Sequence, residues 1–297
     1  MSRPLLLHSV SYSGSWGQAH LTLDAFIDKA ADLGFDGVML MAKRPHLSPL
    51  DIDAAGRARL RDHILNRSLK SVTIAGYTNF TADAGHGEVP HREIQIVYVN
   101  ELARLASDLG GTLVRIFTGY EDPRLGYTAQ WNAVVSAIRE CSQRAAEHGV
   151  TIGVQNHHDV ACGWESLKDL IEAIGEPNCR AMFDAWAPAL QDVPDLRAAA
   201  RSLAPLMAQT TVADYAKRPR YRYNPEAVNY EPRTAYAQAV PMGEGFIDYA
   251  AFFDGLKAGG FTGGAAYEMC SPLLGGGSEE NLDRYARHFI AYMREHE

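Results

Sequence analysis

Residues 144 to 155 read RAAEHGVTIGVQ, which is the end of a helix, a glycine and an apolar strand. Gly149 can end the helix in the left-handed conformation, and residues 150 to 154 are suited to a buried strand. The same order of helix, glycine and strand recurs at 22–41, 106–117 and 256–268. Apolar strands that alternate with helices are typical of a parallel sheet that is covered on both faces.

Strands and helices can be assigned in alternation along all 297 residues. The predicted strands are 5–11, 37–41, 70–76, 112–118, 150–156, 180–184, 207–213 and 264–269. The predicted helices are 22–33, 51–66, 90–109, 128–147, 165–175, 194–203, 246–258 and 279–295. Eight such units in a chain of this length predict an α/β fold, a single (β/α)8 TIM barrel in which residues 1–297 form one domain. The alternative is an open doubly wound sheet, which is disfavoured because no G-x-G-x-x-G motif follows the first strand.

The longest stretch without a clear element is 215–245, which is rich in Tyr, Pro and Arg. It follows the seventh predicted strand, so a barrel would place it over the carboxyl-terminal face. We expect this loop to be a lid or a subunit contact, because long irregular loops in compact domains are usually functional. A solvated loop is the alternative. Its aromatic residues lead us to expect a homo-oligomer or a partner subunit.

Composition excludes several classes of protein. The formal net charge of -8 and the pI of about 5.8 give no positive field for nucleic acid, so we expect no such partner. The four cysteines are scattered and form no CxxC pair, which favours reduced thiols. The apolar run near the start is too short for a signal peptide, and no stretch approaches the roughly 18 apolar residues of a membrane span. We therefore expect a cytoplasmic protein with no membrane partner.

Polar residues stand at the predicted ends of several strands, which form the catalytic face of a barrel. The residues in this position on strands five, six and eight are Gln155, His157, His158, Asp184, Trp186 and Glu268. Gln155 and His157 share one side of their strand, because side chains alternate. Carboxylate and amide oxygens with an imidazole suit Mn²⁺, Mg²⁺ or Co²⁺. A lone Asp at a strand end is often only a helix N-cap. The prediction of a metal site therefore depends on the whole set of residues.

The first and fourth strands offer further candidates for contact with a substrate, namely His8, Tyr12 and Arg115, and Trp186 joins them from strand six. Arg115 lies inside the apolar strand Leu113–Phe117, and a buried guanidinium is costly unless it is paired. It therefore either pairs with a carboxylate inside the barrel or binds a substrate oxygen. The sequence leaves both possibilities open.

Five motifs resemble those of the xylose-isomerase-like TIM barrels, a family that includes tagatose/psicose 3-epimerases, inosose dehydratase and endonuclease IV. The motifs are LGFDGV (33–38), VTIGVQNH (150–157), MFDAW (182–186), MGEGFIDY (242–249) and AAYEMC (265–270). Each motif is loose, and their order and spacing along nearly the whole chain carry the resemblance. It implies a barrel that binds a divalent cation and acts on a sugar.

The metal ligands of that family are Glu, Asp, His and Glu on strands five to eight. Asp184 and Glu268 match the second and fourth ligands, while Gln155 stands for the first Glu and Thr211 for the His. Threonine is a poor replacement for histidine. Gln209 lies two residues earlier on the same side of the strand, so we expect it to be the substitute ligand.

These departures affect the expected chemistry. The two ligand glutamates of the family's epimerases also act as opposed bases, but Gln155 cannot usefully accept a proton. The resemblance then implies a single base, Glu268, with a cation that polarises a carbonyl and with His157 or His158 as a second proton carrier.

The expected function is that of a divalent-metal-dependent isomerase or epimerase, with Mn²⁺ the first choice, that acts on a keto sugar or polyol through an enediolate. One alternative is a lyase or deglycosidase that eliminates an aglycone or water from a 3-oxo sugar. The phrases QNHHD (155–159), FDAW (183–186) and YEMCSPL (267–273) resemble the catalytic subunits of C-glycoside deglycosidases, which favours that alternative. A second alternative is a non-catalytic barrel subunit or sensor.

Overall fold

The computed structural model describes residues 3–83, 87–191 and 195–296. Its strands are β1 Leu5–His8, β2 Gly37–Met41, β3 Ser71–Ala75, β4 Leu113–Ile116, β5 Thr151–Gln155, β6 Cys179–Met182, β7 Gln209–Val212, β8 Asp214–Asn224, β9 Asn229–Val240 and β10 Gly264–Tyr267. Eight of them form one parallel sheet in the order β6-β5-β4-β3-β2-β1-β10-β7. The sheet nearly closes, because Ala181 on β6 forms a parallel bridge with Met207 just before β7. The predicted (β/α)8 barrel is confirmed, and the open doubly wound sheet is excluded.

Helices follow the strands on the outside of the barrel. They are α1 Leu23–Leu33, α2 Ala54–Asn66, α3 His91–Asp108, α4 Tyr127–Ala146, α5 Trp164–Ile174, α6 Trp186–Leu190, α7 Leu196–Leu203, α8 Tyr249–Ala258 and α9 Glu279–Glu295. Helix α1 has a cap at each end. The Thr22 side chain accepts the Ala25 N–H at its start, and Gly34 ends it with a φ of 88°. The short helix α6 was not predicted. Residue 194, the first of the predicted helix 194–203, lies outside the described residues.

None of the helices among the residues that the structure describes is long and apolar enough to cross a membrane.

A separate apolar cluster is formed by buried side chains from six of the barrel strands or their neighbours. Its side chains are Leu6, Met39, Ala75, Leu113, Met182 and Ala266. Gly153 on β5 leaves room for the Met182 side chain, because a Cβ at that position would lie 2.7 Å from Met182 Sδ. The candidate site lies at the end at which the strands finish.

The segment after β7 is an antiparallel ribbon of β8 and β9. Our prediction that 215–245 is an irregular loop was therefore wrong. The pairs Tyr221–Pro232 and Tyr223–Tyr230 alternate with Arg220–Arg233 and Arg222–Glu231. Because neighbouring residues of a strand face opposite ways, one face of the ribbon is aromatic and the other is mainly basic. The outer part of the ribbon is exposed on both faces, while its base at Asp214 and Tyr215 is buried.

Candidate active site

A small cavity lies at the carboxyl ends of β5, β6, β7 and β10. It has a volume of about 40 Å³ and is lined by Gln155, His157, Asp184, Trp186, Thr211, Val212, Ala213, Tyr215, Tyr249, Glu268 and Cys270. A water molecule needs about 10–15 Å³ of such space, so the cavity has room for an ion with one or two waters. Five of the residues that the sequence singled out line it together, namely Gln155, His157, Asp184, Trp186 and Glu268.

Asp184, directly after β6, is held from several sides. Its backbone N–H donates to Asn156 Oδ1 at 2.8 Å, and Asn156 Nδ2 donates to its carbonyl oxygen at 3.2 Å. Its carboxylate accepts bonds from Gln155 Nε2 at 2.7 Å and from the Trp186 N–H at 3.1 Å. Burial raises the pKa of Asp184 to about 6, although these hydrogen bonds oppose the rise. The bond to Trp186 also steadies the start of α6, so Asp184 has a structural role as well.

Glu268 follows β10 and is fixed by its backbone N–H, which donates to Val212 O at 3.0 Å. Desolvation raises the pKa of its carboxyl group; the Arg115 guanidinium opposes the rise and the Asp184 carboxylate adds to it. The Cys270 thiol lies beside the Glu268 carboxyl group, where it opposes the rise in the pKa of Glu268, and is 3.1 Å from the Tyr215 hydroxyl. The sequence reasoning missed Tyr215 and Cys270. The one available signal was that Cys270 stands two residues after Glu268.

Three polar atoms that are fully buried in the cavity lining have no hydrogen-bond partner among the described residues. They are Gln155 Oε1, Thr211 Oγ1 and Trp186 Nε1, and all three are buried. A buried polar atom that stays unpaired costs about 1–3 kcal/mol, so a bound group that engages these atoms would relieve that cost. The cavity therefore has unused donor and acceptor capacity beside its two carboxylates.

The donors around the cavity fit a hard divalent cation. Asp184 and Glu268 supply carboxylate oxygens, and the free oxygens of Gln155 and Thr211 complete a set of the kind that Mg²⁺ and Mn²⁺ accept. Within the described residues no group of three His, Cys, Asp or Glu side chains is placed to hold a metal ion. A cation here would therefore depend on the two neutral oxygens and would be held less strongly than by four charged or imidazole ligands.

The two histidines after β5 have different surroundings. His157 lines the cavity, its ring lies 4.4 Å from that of Phe117, and burial, with His158 and Arg115 nearby, lowers its pKa to about 3. The His158 ring does not line the cavity and stacks on Tyr120 at 4.1 Å, and burial lowers its pKa to about 4. Of the two predicted proton carriers, only His157 is brought to the cavity.

Gln209, predicted as the strand-seven ligand, lies elsewhere inside the barrel. Its Oε1 accepts a bond from Thr73 Oγ1 at 2.8 Å, and its Nε2 donates to Met39 Sδ at 3.6 Å. It does share a side of β7 with Thr211, but it lies two residues deeper in the barrel. Thr211 reaches the cavity lining in its place.

Tyr12 and His8 are also not in the cavity lining. Tyr12 is fully buried, and its hydroxyl donates to Asp283 Oδ1 on α9 at 2.9 Å. His8 is fully buried as well; its Nδ1 accepts the Val10 N–H at 3.2 Å, and its Nε2 lies 3.3 Å from an Arg115 nitrogen. Both residues were predicted as substrate contacts, and neither belongs to the lining of this cavity.

Arg115 is fully buried and forms no ion pair within the described residues. Its Nη1 donates to Gly76 O at 3.1 Å, and its guanidinium carbon lies 4.0 Å from the ring centre of Phe117 and 4.9 Å from that of Tyr77. Direct pairing with a carboxylate, one of the two possibilities left open above, is therefore absent. The positive charge of Arg115 acts at longer range, since it opposes the rise in the pKa of both Asp184 and Glu268.

The motif at 242–249 fixes the end of β7. The Asp214 carboxylate accepts the Gly243 and Gly245 N–H groups, each at 2.9 Å. A Cβ at Gly245 would lie 1.9 Å from Asp214 Oδ1, so only glycine fits there. These bonds anchor the base of the ribbon, which carries Tyr215 into the cavity wall.

Comparisons with known proteins agree with this architecture. The model of the xylose isomerase-like TIM barrel family matches residues 27–296. An L-ribulose 3-epimerase superposes with a TM-score of 0.72 at 22% identity, over 99% of this chain and 95% of that one. D-psicose 3-epimerase from Clostridium cellulolyticum H10, with D-tagatose, gives 0.74 at 16% identity over 99% of both chains. A probable 3-DHS dehydratase from Bacillus anthracis gives 0.70 at 17% identity, over 99% and 98%.

No curated protein matches the sequence. At these identities the structural likenesses show a shared fold.

Proposed function

The chain belongs to the xylose isomerase-like TIM barrel family, and from this premise we propose that it is a sugar isomerase or epimerase that uses a divalent cation, with Mn²⁺ preferred over Mg²⁺ or Co²⁺. The observation that carries the proposal is the meeting of Asp184 and Glu268 in one cavity beside two unpartnered oxygens. The sugar epimerases among the structural neighbours support a carbohydrate substrate.

Asp184, Glu268, Gln155 and Thr211 would hold the cation through their oxygens. When bound, it supplies the positive charge that polarises a sugar ketone. Gln155 donates to Asp184 through Nε2 and leaves its Oε1 free, so the amide can keep the carboxylate oriented while its oxygen serves as a neutral ligand. Thr211 takes the place for which we had expected Gln209.

Glu268 is the base that we propose. Its carboxylate would remove a proton from the carbon beside the ketone and so form an enediolate. The Cys270 thiol, held in turn by Tyr215, orients that carboxylate. Gln155 offers no second carboxylate, so the proton would return from the Glu268 side, as aldose–ketose isomerisation requires. Epimerisation would need His157 or a water on the other face.

The test is to incubate the metal-loaded protein with ketohexoses and Mn²⁺ in D₂O. We expect deuterium at the carbon beside the ketone together with interconversion of sugars, and we expect both to be lost in Glu268→Gln. Tyr127→Ser, which changes an exposed side chain on α4, is the control and should keep both. Absence of exchange with every ketose, while the metal is bound, would contradict the proposal.

An elimination on a 3-oxo sugar is the second candidate, and the single carboxylate base favours it. One base beside the ketone and a group on the opposite wall that assists the leaving oxygen would suffice, and Glu268 and His157 line the same cavity. Release of the aglycone from a 3-oxo-glycoside, without interconversion of ketohexoses, would select this reaction over the first.

We also propose that the β8–β9 ribbon contacts a second copy of this chain. A two-stranded ribbon that is exposed on both faces is marginally stable alone, so it gains from being covered. Tyrosine and arginine are enriched in interfaces, and the basic face is complementary to a chain whose net charge is -8.

The measurement for this second proposal is the mass in solution by light scattering. We expect a dimer, and a monomer after Tyr221, Tyr223 and Tyr230 are all changed to Ser, with Tyr127→Ser as the control. A wild-type monomer, or a dimer that survives the triple change, would contradict the proposal.

A further inference from the structure

The peptide that joins His157 to His158 is held from both sides. The His158 N–H donates to Nδ1 of the His157 ring at 2.8 Å. His158 itself has φ +68°, a left-handed conformation that is uncommon for a residue with a side chain. The chain then turns to the end of β4, where the N–H groups of Asp159 and Val160 donate to Gly119 O at 3.1 and 3.2 Å. The hydrogen bond onto His157 is thus part of a fixed turn.

This bond decides where His157 carries its proton. A ring nitrogen that accepts an N–H bond is unprotonated, so the neutral ring has its hydrogen on Nε2. No described residue hydrogen-bonds to Nε2. The ring is held against Phe117 at 4.4 Å and lies 6.2 Å from Trp186. His157 lines the cavity that contains Asp184 and Glu268, so its free N–H is the donor that the ring can offer to a ligand there.

We propose that His157 is a fixed hydrogen-bond donor to a substrate oxygen through Nε2–H, and that His158 is its positioning residue through the backbone N–H. This inference rests on the proposed function and refines the role of a proton carrier that we had expected for either histidine. A neutral donor of this kind stabilises an oxygen that gains negative charge when Glu268 removes a proton. His158 needs its backbone N–H and its left-handed conformation for that role. It does not need its ring.

The direct test is ¹⁵N NMR of the full chain labelled at histidine, without substrate and at neutral pH. The His157 signals are identified by their loss in His157→Gln. We expect Nδ1 to resonate as the unprotonated nitrogen and Nε2 as the protonated one. A proton on Nδ1, or an even mixture of the two tautomers, would overturn the proposal. The measurement needs no turnover, so it stands even if the proposed reaction is wrong.

Two variants test the part played by His158. Glycine accepts a positive φ without steric cost and keeps the N–H, so His158→Gly should leave the His157 tautomer unchanged. His158→Pro removes the N–H and cannot adopt a positive φ, so the preference for Nε2–H should be lost. A folded His158→Pro protein with the wild-type tautomer would refute the positioning role. If that variant does not fold, a changed tautomer in His158→Gly would refute it instead.

A kinetic comparison separates a donor from a proton carrier. His157→Gln places an amide N–H near the position of Nε2 but cannot transfer a proton, whereas His157→Asn reaches only as far as Nδ1. Loss of one such donor typically costs about 10²- to 10³-fold in rate. We expect the rate of deuterium exchange to fall by that factor in His157→Asn and by a clearly smaller factor in His157→Gln. Equal losses in the two variants would indicate proton transfer and overturn the donor role.

Discussion

Replacing Gln155 by Glu gives the sharpest prediction, because it adds one negative charge at a point where the structure fixes its neighbour. Gln155 Nε2 lies 2.7 Å from Asp184 Oδ2, and both residues are buried. In Gln155→Glu a carboxylate oxygen would take the place of the amide nitrogen. A favourable hydrogen bond would become contact between two acids that are already partly desolvated.

The size of the effect follows from the geometry. Two unit charges about 4 Å apart repel by about 4 kcal/mol at an effective dielectric constant of about 20. The pair can lower this cost by taking up a proton, so we expect the metal-free variant to lose roughly 2–4 kcal/mol of unfolding free energy at neutral pH. For a chain of this size that corresponds to a melting temperature lower by roughly 3–6 °C.

The assay is thermal unfolding with EDTA and with Mn²⁺, together with calorimetric titration of the metal. In Gln155→Glu we expect Mn²⁺ to restore most of the lost stability and to bind at least about tenfold more tightly than in the wild type. Gln209→Glu is the matched control, since it also buries a charge but faces Thr73 and Met39 outside the cavity. The reasoning is refuted if Mn²⁺ stabilises neither variant, or if it stabilises both equally.

Three further results are expected. Glu268→Gln should slow deuterium exchange by about 10²- to 10⁴-fold, because the amide cannot accept the proton from the substrate. Asp184 has a folded pKa of about 6 against an ordinary 3.8, so the metal-free protein should lose roughly 2–3 kcal/mol of stability as pH rises between these values. In Asp184→Asn, denaturant unfolding should show a smaller loss of stability over the same pH range than in the wild type. Thr211→His should tighten Mn²⁺ binding in calorimetry, whereas Thr211→Val should weaken it.

The barrel could be predicted from the sequence because its strands and helices have clear periodicities and glycine ends. The ribbon could not, because Pro219 and Pro232 and the many charges are typical of loops. The alternation of Tyr221, Arg222 and Tyr223 was the overlooked signal of a strand. It was hard to trust because neither face of the ribbon is buried against the rest of the chain.

Position at the ends of the predicted strands identified part of the site. Alternation correctly placed Gln209 and Thr211 on one side of β7, but it gives no depth within the barrel, and two residues of depth put Gln209 against Thr73. The sequence also left open whether Arg115 has a carboxylate partner. That question depends on distances between strands that are far apart in the chain. The different surroundings of the His157 and His158 rings depend on the left-handed conformation of His158, which the sequence does not reveal.

The proposed chemistry requires a divalent cation between Asp184 and Glu268. Anomalous diffraction from crystals grown with Mn²⁺ would locate such an ion. We expect a single strong peak in the cavity, bonded to both carboxylates and to the oxygens of Gln155 and Thr211. A cavity without a peak in crystals that carry Mn²⁺ elsewhere, with Gln155 still bonded to Asp184, would contradict the proposal.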